Sequence, residues 1–150
     1  MDLPVNPASD RPAAAIRAAL AAIEARLHEA IRTLAALPDR ERAWLREPRA
    51  YWPAPLRDFW HEWSNAVARG GFETMRARAP APTPEAIDRM LPTLSWLAWL
   101  DARERKIIWL RAFGVSWWQI GGRFDRSEKT VQRWNERALE RVHARLVMAA

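Results

Sequence analysis

Three histidines, no cysteine and two glycine pairs bound the chemistry open to this 150-residue chain. His28, His61 and His143 lie far apart, without neighbouring ligand patterns. His61-Glu62 opens like the zinc motif H-E-x-x-H, but Asn65 stands where the second histidine is needed. Without a thiol, disulfides, thiolate catalysis and cysteine-ligated zinc are excluded. Gly70-Gly71 and Gly121-Gly122 have neither the spacing of a phosphate loop nor a preceding strand pattern. No spacing of serine, histidine and aspartate supports a nucleophilic triad. The expectation is a binding protein rather than an enzyme, with no catalytic residue, metal or cofactor.

A different chemistry gathers between Ser116 and Arg137. Gln132 suits adenine and Arg133 suits guanine, because each side chain can hydrogen-bond two atoms of that base edge. Glu128, Lys129 and Glu136 complete the base-facing candidates on the same stretch. Ser116, Trp117, Arg123, Arg126, Ser127 and Arg137 are the candidates for phosphate contact. Arg141 and Arg145 continue the four-residue spacing, but that spacing drifts by about 40° per step on a helix, so both belong to a solvated face.

Charge distribution supports a polyanionic partner. Residues 1–100 carry 13 basic and 12 acidic side chains, whereas residues 101–150 carry 11 and 6. The net excess of +6 is therefore almost all in the last third. A genome that favours arginine explains why only Lys106 and Lys129 are lysines, but not this asymmetry.

Helices must position these groups. The run 101–113 (DARERKIIWLRAF) predicts a helix closed by Gly114. Ser116 caps a second helix of about eight residues, with Gln119 completing a capping box. Asp125 and Arg126 turn the chain. Ser127 caps a longer helix to about Leu146, with Val131, Trp134, Ala138, Val142 and Leu146 inward. This is the helix-turn-helix layout, in which the last helix offers its leading turns to the major groove. Gly121 should let the two helices approach closely. Trp117 and Trp118 point about 100° apart. The expectation is that Trp117 is the more exposed and Trp118 the more packed.

Upstream the chain also reads as helical, so the predicted class is all-α: a long N-terminal helix, a tryptophan-rich helical support and a C-terminal three-helix unit. Residues 1–9 are expected to be disordered. Residues 10–38 form a long helix whose seam, Ile16, Leu20, Ile23, Leu27, Ala30, Leu34 and Leu37, follows heptad spacing. That seam packs either on the same chain or on a second copy as a homodimer. Residues 39–83 hold a proline-rich loop and a tryptophan-bearing helix over 56–69, stopped by Gly70-Gly71. Residues 84–146 combine a linking helix with the helix-turn-helix, and 147–150 are a tail. Thr83 should cap the linking helix, and Pro92 should kink or break it. The most apolar window, 91–100, is about half a membrane span, and the N-terminus has no signal-peptide pattern, so a cytoplasmic protein is expected.

Gly114, Ser116 and Ile120, then Ser127, Thr130 and Val131, then Arg137, Ala138 and Leu139 resemble region 4 of bacterial sigma factors and LuxR-like modules. That resemblance covers only the last third, and nothing upstream looks like the other regions of a sigma factor. AIDRM (86–90), WLAWL (96–100), WLRAFG (109–114) and the terminal helix are also similar to an uncharacterised family of short phage- and prophage-type helix-turn-helix proteins. ALP (36–38) and YWP (51–53) extend that likeness over most of the chain. Both resemblances imply double-stranded DNA as the partner, bacterial or phage origin and a nucleoid location. The leading expectation is a transcriptional regulator. Its alternatives are a small terminase-like packaging subunit, or a module that docks on RNA polymerase or a phage protein.

Overall fold

The computed structural model describes residues 10–37 and 81–150. The expectations for residues 1–9 and for the loop and tryptophan-bearing helix within 39–80 lie outside the described residues. Every described element is helical, so the chain is all-α.

Helix α1, Asp10–Ala36, has proline at its third position, where a missing amide hydrogen costs nothing. Leu20, Ile23, Leu27, Ala30, Leu34 and Leu37 are all buried, in a cluster that also takes Ile31 and Ala35 from α1. Their partners come from the same chain: Met90, Leu94, Leu97, Ile108 and Leu139 among them. This corrects the dimer seam. The stripe from Leu20 to Leu37 covers this chain's own core and is not free to meet a second copy; of the heptad positions only Ile16, at 50% exposure, remains outside.

Helix α2, Pro84–Leu94, begins as its sequence demands. Thr83 accepts a hydrogen bond from the Ala86 amide at 3.2 Å, and Pro84 fills the first helical position. Pro92 lies inside the α-helix, which runs two residues further and then gives way to a 3-10 helix, Ser95–Trp99, so the expected break into two shorter helices falls just after the proline. Hydroxyls hold the transition, since Thr93 donates to the Arg89 carbonyl at 2.8 Å and Ser95 to the Pro92 carbonyl at 2.6 Å. Arg89 bonds Glu29 of α1 at 2.7 Å across the α1–α2 contact.

Helices α3 (Ala102–Ala112), α4 (Trp117–Phe124) and α5 (Glu128–Ala149) follow. Asp101 and Glu104 form a capping box at the start of α3. Glu104 is 4% exposed, and its Oε2 accepts from the Asp101 amide at 3.0 Å and from Arg141 of α5 at 2.8 Å. Helix α5 continues to Ala149, past the predicted end at Leu146, because alanine, methionine and leucine are good helix formers and no glycine or proline interrupts them. The expected tail at 147–150 is therefore mostly helix. Helix α1 packs on α2, α3 and α5, while α4 packs on α3 and α5.

Candidate nucleic-acid interface

Two sharp turns set the angle between the last three helices. At the first, Gly114 has φ +75°, the left-handed region that favours glycine. The Val115 amide bonds the Leu110 carbonyl at 3.0 Å and the Gly114 amide bonds that of Arg111 at 2.9 Å, the Schellman arrangement. Leu110 and Val115 meet in the small apolar cluster beneath, as such a motif favours. At the second turn Asp125 takes the left-handed position with φ 52°, which aspartate tolerates better than most residues. The Arg126 amide closes this turn on the Gly121 carbonyl at 2.9 Å.

Both N-caps expected from the sequence are present. The Ser116 hydroxyl accepts from the Gln119 amide at 3.2 Å, and the Gln119 side-chain oxygen accepts from the Ser116 amide in return. Ser127 accepts from the Thr130 amide at 3.3 Å. Gly121 permits the close approach: a methyl there would stand 2.6 Å from the Arg126 carbonyl oxygen and 3.4 Å from the Glu128 amide nitrogen. Ile107, Leu110, Ile120 and Val131 fill the space between the three helices, with Phe124 and Trp134 at its margin.

The outward side chains are placed as follows. Glu128, Lys129, Gln132, Arg133 and Glu136 of α5 are all exposed, as is Arg137. Ser116, Arg123, Arg126 and Ser127 are exposed around the two turns. Trp118, Gln119, Arg123, Arg126, Ser127 and Glu128 line one open concavity beside the start of α5. Val131, Ala138 and Val142 are fully buried, and Trp134 and Leu146 are half-buried.

The tryptophan pair reverses the expectation. Trp118 is 74% exposed, and Trp117 is half-buried against the small core. Residues 117, 120, 121 and 124 share one helical face at i, i+3, i+4 and i+7, so Trp117 lies with Ile120 and Phe124. Arg111 then covers its outer side, 4.4 Å from the ring centroid. Trp117 is accordingly a packing residue, and Trp118 is the aromatic group that faces the solvent. The i+3 and i+7 spacing to Ile120 and Phe124 carried this signal.

Behind the exposed face, α5 and α3 are each tied to α1. Asn135, 5% exposed, donates to Glu24 at 3.0 Å, and Arg32 donates to the Ala112 carbonyl at 3.0 Å. Burial pushes the His28 imidazole below its ordinary pKa; Glu24 opposes that shift, and Arg32 and Arg111 add to it. Among the described residues no group of histidine, cysteine, aspartate and glutamate could hold a metal ion, and no helix is long and apolar enough to cross a membrane.

No curated protein and no solved structure matches the chain. One family model matches residues 35–142, which takes in α2, α3, α4 and the leading two-thirds of α5. The chain therefore belongs to the family described as Domain of unknown function (DUF6362).

Proposed function

We propose that this chain is a double-stranded-DNA-binding protein that inserts the leading half of α5 into the major groove. The observation that carries this reading is the exposed array Lys129, Gln132 and Arg133 on a capped helix, bordered by Arg123 and Arg126. Gln132 and Arg133 have the donor and acceptor geometry to read adenine and guanine. Arg123, Arg126 and Arg137 carry charge for phosphates, with Ser116 and Ser127 presenting helix N-termini where anions are favoured. In this reading the protein is non-enzymatic, works in the cytoplasm at the nucleoid, and serves as a transcriptional regulator of the phage or prophage type. Binding to mixed-sequence duplex over a salt series tests it. Several phosphate contacts predict a linear fall of log K with log salt, with a slope of about −0.9 per phosphate neutralised. A flat dependence overturns the proposal.

The exposure of Trp118 favours a second reading, in which this face docks on a protein such as RNA polymerase. Under it, co-elution with polymerase survives Lys129→Gln combined with Arg133→Gln, and loss of co-elution in that double variant removes the reading.

A further inference from the structure

Three cations of α3 lie over aromatic rings of the two helices that follow. The Arg103 guanidinium carbon is 4.0 Å from the Trp134 ring centroid, the Lys106 Nζ is 5.9 Å from that of Phe124, and Arg111 covers Trp117. Arg111 is half-buried and donates to the Val115 carbonyl at 2.8 Å, so its role is to brace the turn between α3 and α4. Arg103 and Lys106 differ. Both are exposed, and neither has a hydrogen bond or ion pair among the described residues. Phe124 and Trp134 meet edge to face at 6.1 Å, so the two cations and two rings form one continuous shelf.

The position of this shelf on α5 matters. Successive residues on a helix turn about 100°. Lys129, Arg133 and Glu136 therefore share the outermost strip of α5. Glu128 and Gln132 fall on one flank of that strip, where Glu128 borders the concavity with Arg123 and Arg126. Thr130, Trp134 and Arg137 fall on the opposite flank, and Arg103 lies on Trp134. Exposed positive charge thus brackets the outward strip on both sides. A helix with its side chains is about 10–12 Å across, and the major groove is about 12 Å wide with a phosphate chain on either border.

We propose that Arg103 and Lys106 form a second phosphate-binding edge, which grips the strand opposite the one met by Arg123 and Arg126. This rests on the duplex-DNA reading above and adds residues of α3 to it. A guanidinium over a ring uses its face for the aromatic contact and keeps its edge donors for phosphate oxygens. Resting on Trp134 also orders the arginine in advance, which lowers the entropy lost when it takes a phosphate. The edge recognises phosphodiester charge and carries no base preference.

The test compares the full-length protein with its Arg103→Gln, Lys106→Gln double variant on mixed-sequence and selected duplexes over a salt series. Far-UV circular dichroism and the urea midpoint check that the fold is kept. The expected result is a slope shallower by about 1.8, as two lost phosphates require, with selected base preferences unchanged. Arg103→Lys keeps the wild-type slope because the charge remains. Should the double variant fail to fold, Lys106→Gln alone, whose ring contact is the longer, reads a loss of about 0.9. A steep wild-type slope left unaltered in the variants overturns this edge while leaving the duplex reading intact. An altered base preference also overturns it, by placing Arg103 in the groove. A flat wild-type slope removes the duplex reading itself and the edge with it.

Discussion

Gly121 and Gly122 are adjacent in α4, and a single methyl should have opposite effects at the two positions. At Gly122 an added Cβ meets nothing within 4 Å. Alanine there should stabilise the protein by about 0.5–1 kcal/mol through helix propensity alone. At Gly121 the same Cβ would stand 2.6 Å from the Arg126 carbonyl oxygen, a backbone atom of the turn that sets α4 against α5. Relief needs a shift on the order of half an ångström in a turn whose Arg126 amide already bonds the Gly121 carbonyl. Overpacking of this kind costs about 1–3 kcal/mol, and the propensity gain offsets about 1 kcal/mol of it. Propensity cancels between the two alanine variants, so the gap between them isolates the steric cost at about 1–3 kcal/mol. Urea unfolding with unchanged m-values measures that gap directly. Equal stability of Gly121→Ala and Gly122→Ala would refute the reasoning, because it would mean that α4 and α5 are not in contact through that turn. Gly121→Ala should also weaken duplex binding by altering the helix crossing, whereas Gly122→Ala should not.

Trp117→Ala should destabilise by about 1–3 kcal/mol through lost burial, while Trp118→Ser should stay within about 0.5 kcal/mol of wild type; urea midpoints of the two variants decide which tryptophan faces the solvent. Ser127→Ala should cost about 1 kcal/mol by uncapping α5, read as a lowered melting temperature. Because the folded His28 pKa lies below the unfolded value of 6.5, the unfolded chain takes up that proton first. Stability should therefore fall as pH drops below about 6.5 and stop falling, for this residue, once pH passes the folded pKa; His28→Gln should flatten the difference between urea midpoints at pH 7.5 and 5.5. Arg133→Ala should relax selection at one base position at a cost of about 1–3 kcal/mol, and an unchanged selected site would remove Arg133 from base contact.

Short-range rules made much of the C-terminal unit legible in the sequence. A cap needs only a hydroxyl and an amide three residues on, so Thr83, Ser116 and Ser127 could be placed without knowing the fold. Gly114 marked a left-handed turn for the same local reason. The tryptophan pair failed because the apolar face of α4 was phased on Trp118, although the i+3 and i+4 partners of Trp117 are Ile120 and Gly121. The seam of α1 showed which side is apolar but not what would cover it. That was settled by α2, α3 and α5, whose buried faces lie 50 or more residues away. Arg103 on Trp134 and Asn135 on Glu24 were equally out of reach, since each pair exists only once separate helices have docked. Pro92 marked a break in the 84–100 run, but not its form: the change to 3-10 geometry, with the hydroxyls of Thr93 and Ser95 bonding back to carbonyls, follows two residues later.

The docking of α1 onto α5 means that the last three helices are not a cassette to be lifted out and grafted elsewhere. Ala138, Leu139 and Val142 share one apolar cluster with Leu27, Ile31 and Leu34, so excision at Asp101 would lay that surface bare to water. Insertion or deletion at the junction before Asp101 would thus meet resistance from a helix that ends 65 residues upstream, at Ala36.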